Sequence, residues 1–322
     1  MIRYLLSRLG QSLLQLAGIS IILFALTSAV PGDYFTEAKV NPQISPETIA
    51  ALRAHYGLDR PLPVRYGLWL RSVARGDMGI SFAYNMPVLP LLWPRVQHTF
   101  MLTAPALVLS WLIAVPLGVL AAWRRGGWID RIFSAATSTL LALPDLLLAL
   151  IVLMLALHSG KFPVGGMNSE AGRELGGWHL LLDTLWHMVL PVGVLVIGSL
   201  PAIVRHVRAA MLEVLESSYI QAARGQGLSN NVLLLRHALR AAANPLISLL
   251  GLSVAGLLSA SLLVEVVLGW PGLGPMVVEA TLSRDLFVVI GVAMFSMVLL
   301  ALSNFLADVL LYAADPRIRV RS

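Results

Sequence analysis

Apolar residues gather into six long blocks, at about 12–30, 99–123, 132–157, 188–204, 241–268 and 287–313. A helix crosses the hydrocarbon core of a bilayer with ~17–25 such residues, so each block is long enough to span. None alternates with period two over ten residues, which excludes a transmembrane β-barrel. The polar stretches between the blocks are loops of unequal length, the longest being 31–98 and 205–240. Pro105, Pro116, Pro144, Pro191 and Pro201 fall inside blocks. A helix bundle tolerates such prolines, and they kink or locally open the helix. The pattern predicts an all-α membrane protein of six transmembrane helices.

Composition and charge placement agree. With 57% hydrophobic and 12% charged residues, the chain has about half the ~25% charged residues of an average soluble domain. A soluble fold and a disordered one are both excluded. The excess of six positive charges owes little to nucleic-acid binding, because its distribution follows membrane sidedness. Thirteen arginines lie on the side of the N-terminus, among them Arg3, Arg8, Arg124, Arg125, Arg205 and Arg321. The two shorter loops on the other side hold Lys161, Arg173 and Arg284. Positive charge marks the cytoplasmic side in short loops, so both termini are expected there. The first block resembles a signal peptide, but about 19 apolar residues without a small-residue cleavage site read as an uncleaved span. With no cysteine in the chain, disulfides, thiol catalysis and thiolate metal sites are excluded.

Two loops carry local structure. In the first, Ser45-Pro46-Glu47 reads as N-cap, N1 proline and first-turn acid of a helix that Gly57 stops. A second helix is predicted over 64–74, with Tyr66, Trp69, Leu70 and Val73 on one face. Residues 75–79 read as a turn. This loop either packs on the bundle or caps a translocation path from outside. In the loop 205–240, Val207, Met211, Val214 and Leu215 form a helical stripe. After it, small residues at 222, 223 and 225 leave a face open to close approach, Gly227 supplies a positive φ, and Ser229 can cap the next helix. The pattern gives helix, short helix, sharp turn, helix. Periodicity alone also allows an ordinary amphipathic connector.

Catalytic chemistry is absent. Neither Lys39 nor Lys161 lies in a phosphate-cradling G-x-x-x-x-G-K-[ST] loop, so the chain is not expected to hydrolyse ATP. No H-E-x-x-H or close His/carboxylate cluster points to a metal, and no serine has His and Asp at elbow-like spacing. His206 and His237 flank the 205–240 loop in surface or capping positions. Acids inside spans are functional candidates, being costly in hydrocarbon. Asp145 follows Pro144 near the middle of the third block; it suits a cationic ligand such as a peptide ammonium, or a hydrogen bond to a neighbouring helix. Glu265 and Asp308, near span ends, read first as structural.

The sequence Gln221-Ala222-Ala223, three residues, then Gly227 and an apolar stretch around Leu239 resembles the EAA motif of ABC-importer membrane subunits. More narrowly, Tyr219-Ile220, Ala223-Arg224-Gly225-Gln226-Gly227-Leu228-Ser229, Arg236-His237-Ala238-Leu239-Arg240 and Pro245 resemble the di/oligopeptide and nickel permease branch, B-type subunit. The resemblance extends over nearly the whole chain. It takes in Gly57-Leu58-Asp59-Arg60-Pro61-Leu62-Pro63, Gly76-Asp77-Met78-Gly79-Ile80-Ser81 and Phe162-Pro163-Val164-Gly165-Gly166. It continues through Glu265, Trp270-Pro271-Gly272-Leu273-Gly274, Asn304, Asp308, Tyr312 and Asp315-Pro316-Arg317-Ile318-Arg319. Three positions depart from that branch: Gln221 replaces Glu, Gly225-Gln226 stands where Ala-Lys is usual, and Ala241 where Asn is frequent.

The resemblance implies a type I importer permease that forms half a pore for di/oligopeptides, driven by alternating access. It implies a second homologous permease, two cytoplasmic ATP-binding subunits and an external binding protein as partners, with ATP and Mg bound by those ATPase subunits and no cofactor here. It assigns ATPase coupling to Tyr219, Gln221, Ala222, Ala223, Arg224, Gly225, Gly227, Leu228 and Arg236, and makes Asp145 and Glu265 candidates for the translocation path. The chain then divides into 1–30 with the first span, an external cap loop 31–98, a core 99–313 containing the coupling loop, and a cytoplasmic tail 314–322. A nickel chelate or glutathione remains an alternative cargo. A secondary transporter is the alternative of another class, but it needs coupling-ion sites and usually an internal repeat, and neither is visible.

Overall fold

The computed structural model describes residues 2–29, 45–55, 57 and 59–314. In chain order they form α1 (Ile2–Ala29), α2 (Pro46–His55), α3 (Leu62–Val73), a hairpin of β1 (Ile80–Ser81) and β2 (Met86–Pro87), α4 (Val88–Trp123), α5 (Trp128–Leu141), α6 (Asp145–Ser159), α7 (Glu170–Leu175) and α8 (Gly177–Leu215). There follow α9 (Ser218–Gly225), α10 (230–241, with a π-helical stretch Leu233–Ala238), α11 (Ala243–Val267), α12 (Leu273–Leu282) and α13 (Leu286–Ala314).

Among the described residues, α4, α8, α11 and α13 are each long and apolar enough to cross a membrane, and α1 contributes a shorter apolar stretch, Gly10–Leu26. The third block is not one helix. α5 and α6 together carry the apolar length, but they are bent by 97° at residues 142–144. Pro144 has no N–H to continue the helix, its ring excludes the carbonyl four residues back, and it holds Leu143 away from helical geometry. Its backbone is extended, at φ −60° and ψ 142°, and Asp145 opens a new helix after it. A carboxylate is favoured at that end by the helix dipole. By contrast Pro191 and Pro201 are accommodated inside α8 without a break.

The chain divides into two compact units. In the unit built mainly from residues 99–271, α8 packs against α5, α6 and α11. One part of its core joins Leu102, Leu148, Leu195, Leu257 and Trp270. Another gathers Val204, Val207, Met211, Ile220, Leu233 and Leu246 around the 205–240 excursion. Leu112, Met154 and Leu252 remain 64–70% exposed, an arrangement suited to lipid or a partner helix and unfavourable in water.

In the other unit, residues 6–98 and 272–301, the two loop helices lie where the caps and spacing put them. Ser45 Oγ accepts the Thr48 amide at 3.2 Å. Tyr66, Trp69 and Val73 pack with Phe24 and Ile290, whereas Leu70, expected on the same face, is exposed. Ser20 and Tyr66 hydroxyls meet at 2.8 Å. The hairpin and α12 are absent from the sequence reading; strands of two residues are too short to leave a period. Leu58 and the 315–319 motif lie outside the described residues.

Candidate functional site

The 205–240 excursion begins as a continuation of α8, which runs unbroken to Leu215. Its stripe points inward: Val207 and Met211 are fully buried. After a tight turn at Glu216-Ser217, α9 is anchored by Ile220, also fully buried, with Ala223 packed half-buried against the same cluster. The other face of α9 is open, with Tyr219, Gln221, Ala222, Arg224 and Gly225 exposed. Gly227 takes φ +79° and donates its amide to the Arg224 carbonyl at 3.0 Å, ending the helix in the left-handed conformation read from the sequence. Ser229 stands at the N-cap of α10 with extended backbone, but its side chain makes no capping bond. Leu228 and Arg236 are exposed, as are Val232 and Leu235.

Two of the departures from the resembled motif have local consequences. Gln221 Nε2 donates to the Glu216 carbonyl at 3.1 Å, closing the end of α8; an ionised glutamate has no proton to donate there. Gly225 leaves open space above α9, with no atom within 4 Å of where a Cβ would stand. Arg224 lies over the Trp123 ring, 5.4 Å from its centroid, a cation–π contact tying α9 to the end of α4.

An ion pair between a buried carboxylate and a partly exposed arginine joins this excursion to α5. Arg208 Nε and Nη2 reach Asp130 Oδ1 and Oδ2 at 2.7 and 2.8 Å. The Gly126 amide donates to Oδ2 at 2.9 Å, and Asp130 is only 6% exposed. Arg125 and Glu216 form a second, exposed pair, and pairs of that kind contribute little by themselves.

A cavity of about 270 Å³ opens between α6, α8 and α11. Its wall is apolar except for Asp145, Ser199 and Ser253, and Gly198 and Gly256 leave it room. Asp145 is half-buried and makes no side-chain hydrogen bond or ion pair among the described residues. A Cβ at Gly198 would lie 2.9 Å from its Oδ1, so the absence of a side chain there sets where the carboxylate sits. Ser199 donates to the Leu195 carbonyl and meets Ser110 at 2.7 Å. Glu265 is placed differently. It is fully buried near the end of α11 and does not line the cavity, although its neighbour Val264 does. Asp308 is half-buried in the last turns of α13. Among the described residues no three His, Asp or Glu side chains group as a metal site.

The motifs expected outside the membrane also meet partners. The Gly166 amide donates to Gly269 at 3.2 Å, joining Phe162–Gly166 to the turn that carries fully buried Trp270. Phe162 stacks on Trp186 at 5.2 Å. In the other unit, Asp285 is buried and its Oδ2 accepts from Ser81 Oγ at 2.6 Å and the Ala83 amide at 3.0 Å. Tyr84 donates to Glu279; burial first, and then that carboxylate, push its hydroxyl up to about 12. It therefore stays protonated and a donor throughout the physiological range.

Sequence reasoning did not single out Asp130, Ser199 or Ser253. Asp130 had one usable signal: it is the sole acid in an arginine-rich loop, beside Arg124, Arg125 and Arg131. Its partner, 78 residues away, left none.

Comparison with known proteins gives concordant results. A family model described as "Binding-protein-dependent transport system inner membrane component" matches residues 114–320, and the model of the N-terminal part of such components matches residues 1–103. The chain is 34% identical over 320 residues to the oligopeptide transport system permease protein AppB of Bacillus subtilis (strain 168), covering 99% of each. It is 34% identical over 338 residues to the dipeptide transport system permease protein DppB of Escherichia coli (strain K12), again covering 99% of each. Among solved structures, it resembles a chain of the inward-facing methionine ABC transporter MetNI, with TM-score 0.58, 21% identity, and coverage of 70% of this chain and 97% of that one. A chain of an amino acid ABC transporter matches with TM-score 0.53 and 18% identity, covering 70% of this chain and 94% of that one.

Proposed function

The chain belongs to the binding-protein-dependent transport system inner membrane components, and from that premise we propose that it is the B-type permease subunit of an ATP-driven importer of di/oligopeptides. Full-length relatives of 34% identity are named for oligopeptide and dipeptide transport. Energy comes from separate ATPase subunits, and an external binding protein delivers the cargo. The observation that carries this reading is α9: a short helix held from inside by Ile220, open along Ala222 and Gly225, and ended by a left-handed glycine. Such a helix can sit in a groove of an ATPase, and its displacement would move α8, with which it shares a core.

In this reading a second, homologous permease completes the pore. The chain then has six spans, counting α1 and treating the bent α5–α6 pair as one, with both termini in the cytoplasm and the 31–98 loop outside as a cap. The cavity beside Asp145 is part of the translocation path, which alternately opens to either side as the two permeases rock. Fusions of a topology reporter after Gly126 and Gln226 should report the cytoplasm, and fusions near Asn85 and Asn168 the outside. A cytoplasmic signal at Asn85 would overturn this arrangement.

The transport reading is tested in proteoliposomes. The purified chain alone should hydrolyse no ATP. With its ATPase partners, second permease and binding protein it should accumulate peptide in proportion to ATP hydrolysed, and loaded binding protein should raise the rate. Hydrolysis by the isolated chain, or uptake without ATP, would sink the assignment.

A further inference from the structure

We propose that Asp130 and Arg208 form the joint through which movement of the coupling segment reaches the broken span carrying Asp145. The inference rests on the reading of α9 as the ATPase-docking helix. α5 is held at its first turn by Arg208 and ends at the 97° break. From Asp130 to the end of the helix at Leu141 run 12 residues of uninterrupted helix, about 17 Å at 1.5 Å per residue. A displacement of its first turn is thus carried to residues 142–144, and Asp145 is the next residue in the chain.

The input side is equally short. Arg208 sits two turns before the end of α8, between Val207 and Met211, which share a core with Ile220 of α9. Apolar packing sets the distance between α8 and α5 but allows sliding. The ion pair does not. Both carboxylate oxygens are engaged by one planar guanidinium, a fork that fixes orientation as well as separation. The Gly126 amide occupies Oδ2 as well, so the turn before α5 moves with it. A lysine keeps the charge but cannot reproduce the fork.

A joint and a mere stabilising pair differ in one measurable respect, the amount of cargo moved per ATP. The test uses the complete transporter in proteoliposomes, with hydrolysis, uptake and assembled complex measured on the same vesicles. Arg208→Lys and Asp130→Asn should leave complex and hydrolysis near normal. Cargo per ATP should fall about tenfold, within the 5- to 150-fold range of coupling between sites. The exchanged pair Asp130→Arg/Arg208→Asp should recover part of that loss relative to either charge-reversed single variant. If uptake and hydrolysis instead decline together with the amount of complex, or if cargo per ATP is unchanged in the conservative variants, the joint is overturned. Gly227→Val serves as the reference for the docking reading. Uncoupling there with normal coupling in Arg208→Lys overturns the joint alone; normal coupling in both overturns the joint and the docking reading together.

Discussion

Gly227→Val and Ala222→Trp are expected to abolish ATP-driven uptake while the protein still reaches the membrane in normal amount. Gly227 holds φ +79° at the end of α9, and a β-branched residue there is a steric outlier. The variant must change the path of the chain between α9 and α10. Nothing within 4 Å would obstruct the new side chain, so the effect is one of conformation and not of collision. Ala222 acts through bulk: it is exposed on the outer face of α9, and overfilling a close contact costs about 1–3 kcal/mol. At 1.4 kcal/mol per factor of ten, ATPase association should weaken by about five- to a hundredfold. Co-purification of the ATPase subunits and uptake in vesicles are the measurements. Normal values for both variants at normal membrane levels would reduce the excursion to a plain connector.

The structure also shows why the neighbouring alanine is the poorer probe. Ala223 belongs to the same small-residue run in the sequence, yet it is half-buried against the chain's own core. A tryptophan there would damage internal packing, and lost protein would be confused with lost docking. Periodicity over eight residues could not separate the two alanines, because the anchor is Ile220 and its cluster draws on Met211 and Leu233 from other helices.

Where hydrocarbon or backbone geometry dictates the residue, the sequence is readable. Long apolar blocks are compulsory for a spanning helix, so α4, α8, α11 and α13 lie where the pattern places them. Ser45 and Gly227 act through their own local backbone and were equally plain. What pairs across the chain was not. Pro144 and Pro201 carry the same local signal, yet one breaks a span and the other lies inside a continuous helix; the surrounding contacts decide. Asp145, near the middle of its block, and Glu265, near the end of its own, differ already in the sequence. That one opens on a cavity and the other is enclosed is set by the helices packed around them. Asp130 shows the same limit, since an acid among arginines does not reveal which arginine it holds.

Removing the charge of Asp145 should slow transport without lowering the amount of complex. A carboxylate in the first turn of α6 gains about 0.3–1 kcal/mol from the helix dipole, so Asp145→Asn gives up little stability and keeps the shape of the cavity. What it loses is the anionic group in a wall otherwise formed by apolar side chains and two serines. A hydrogen bond to a charged group contributes about 1.5–3 kcal/mol, and a passing peptide ammonium that makes it only in the cavity would lose about tenfold or more in rate. Uptake of peptides with a free amino terminus should therefore fall more than uptake of the same peptides N-acetylated. Gly198→Val should reproduce the loss with the charge intact, because its Cβ would stand 2.9 Å from Oδ1 and force the carboxylate aside. Equal uptake of free and acetylated peptides by wild type and Asp145→Asn, at equal complex levels, would leave Asp145 as a helix-terminal carboxylate and move the search for the path to another face of α8 or α11.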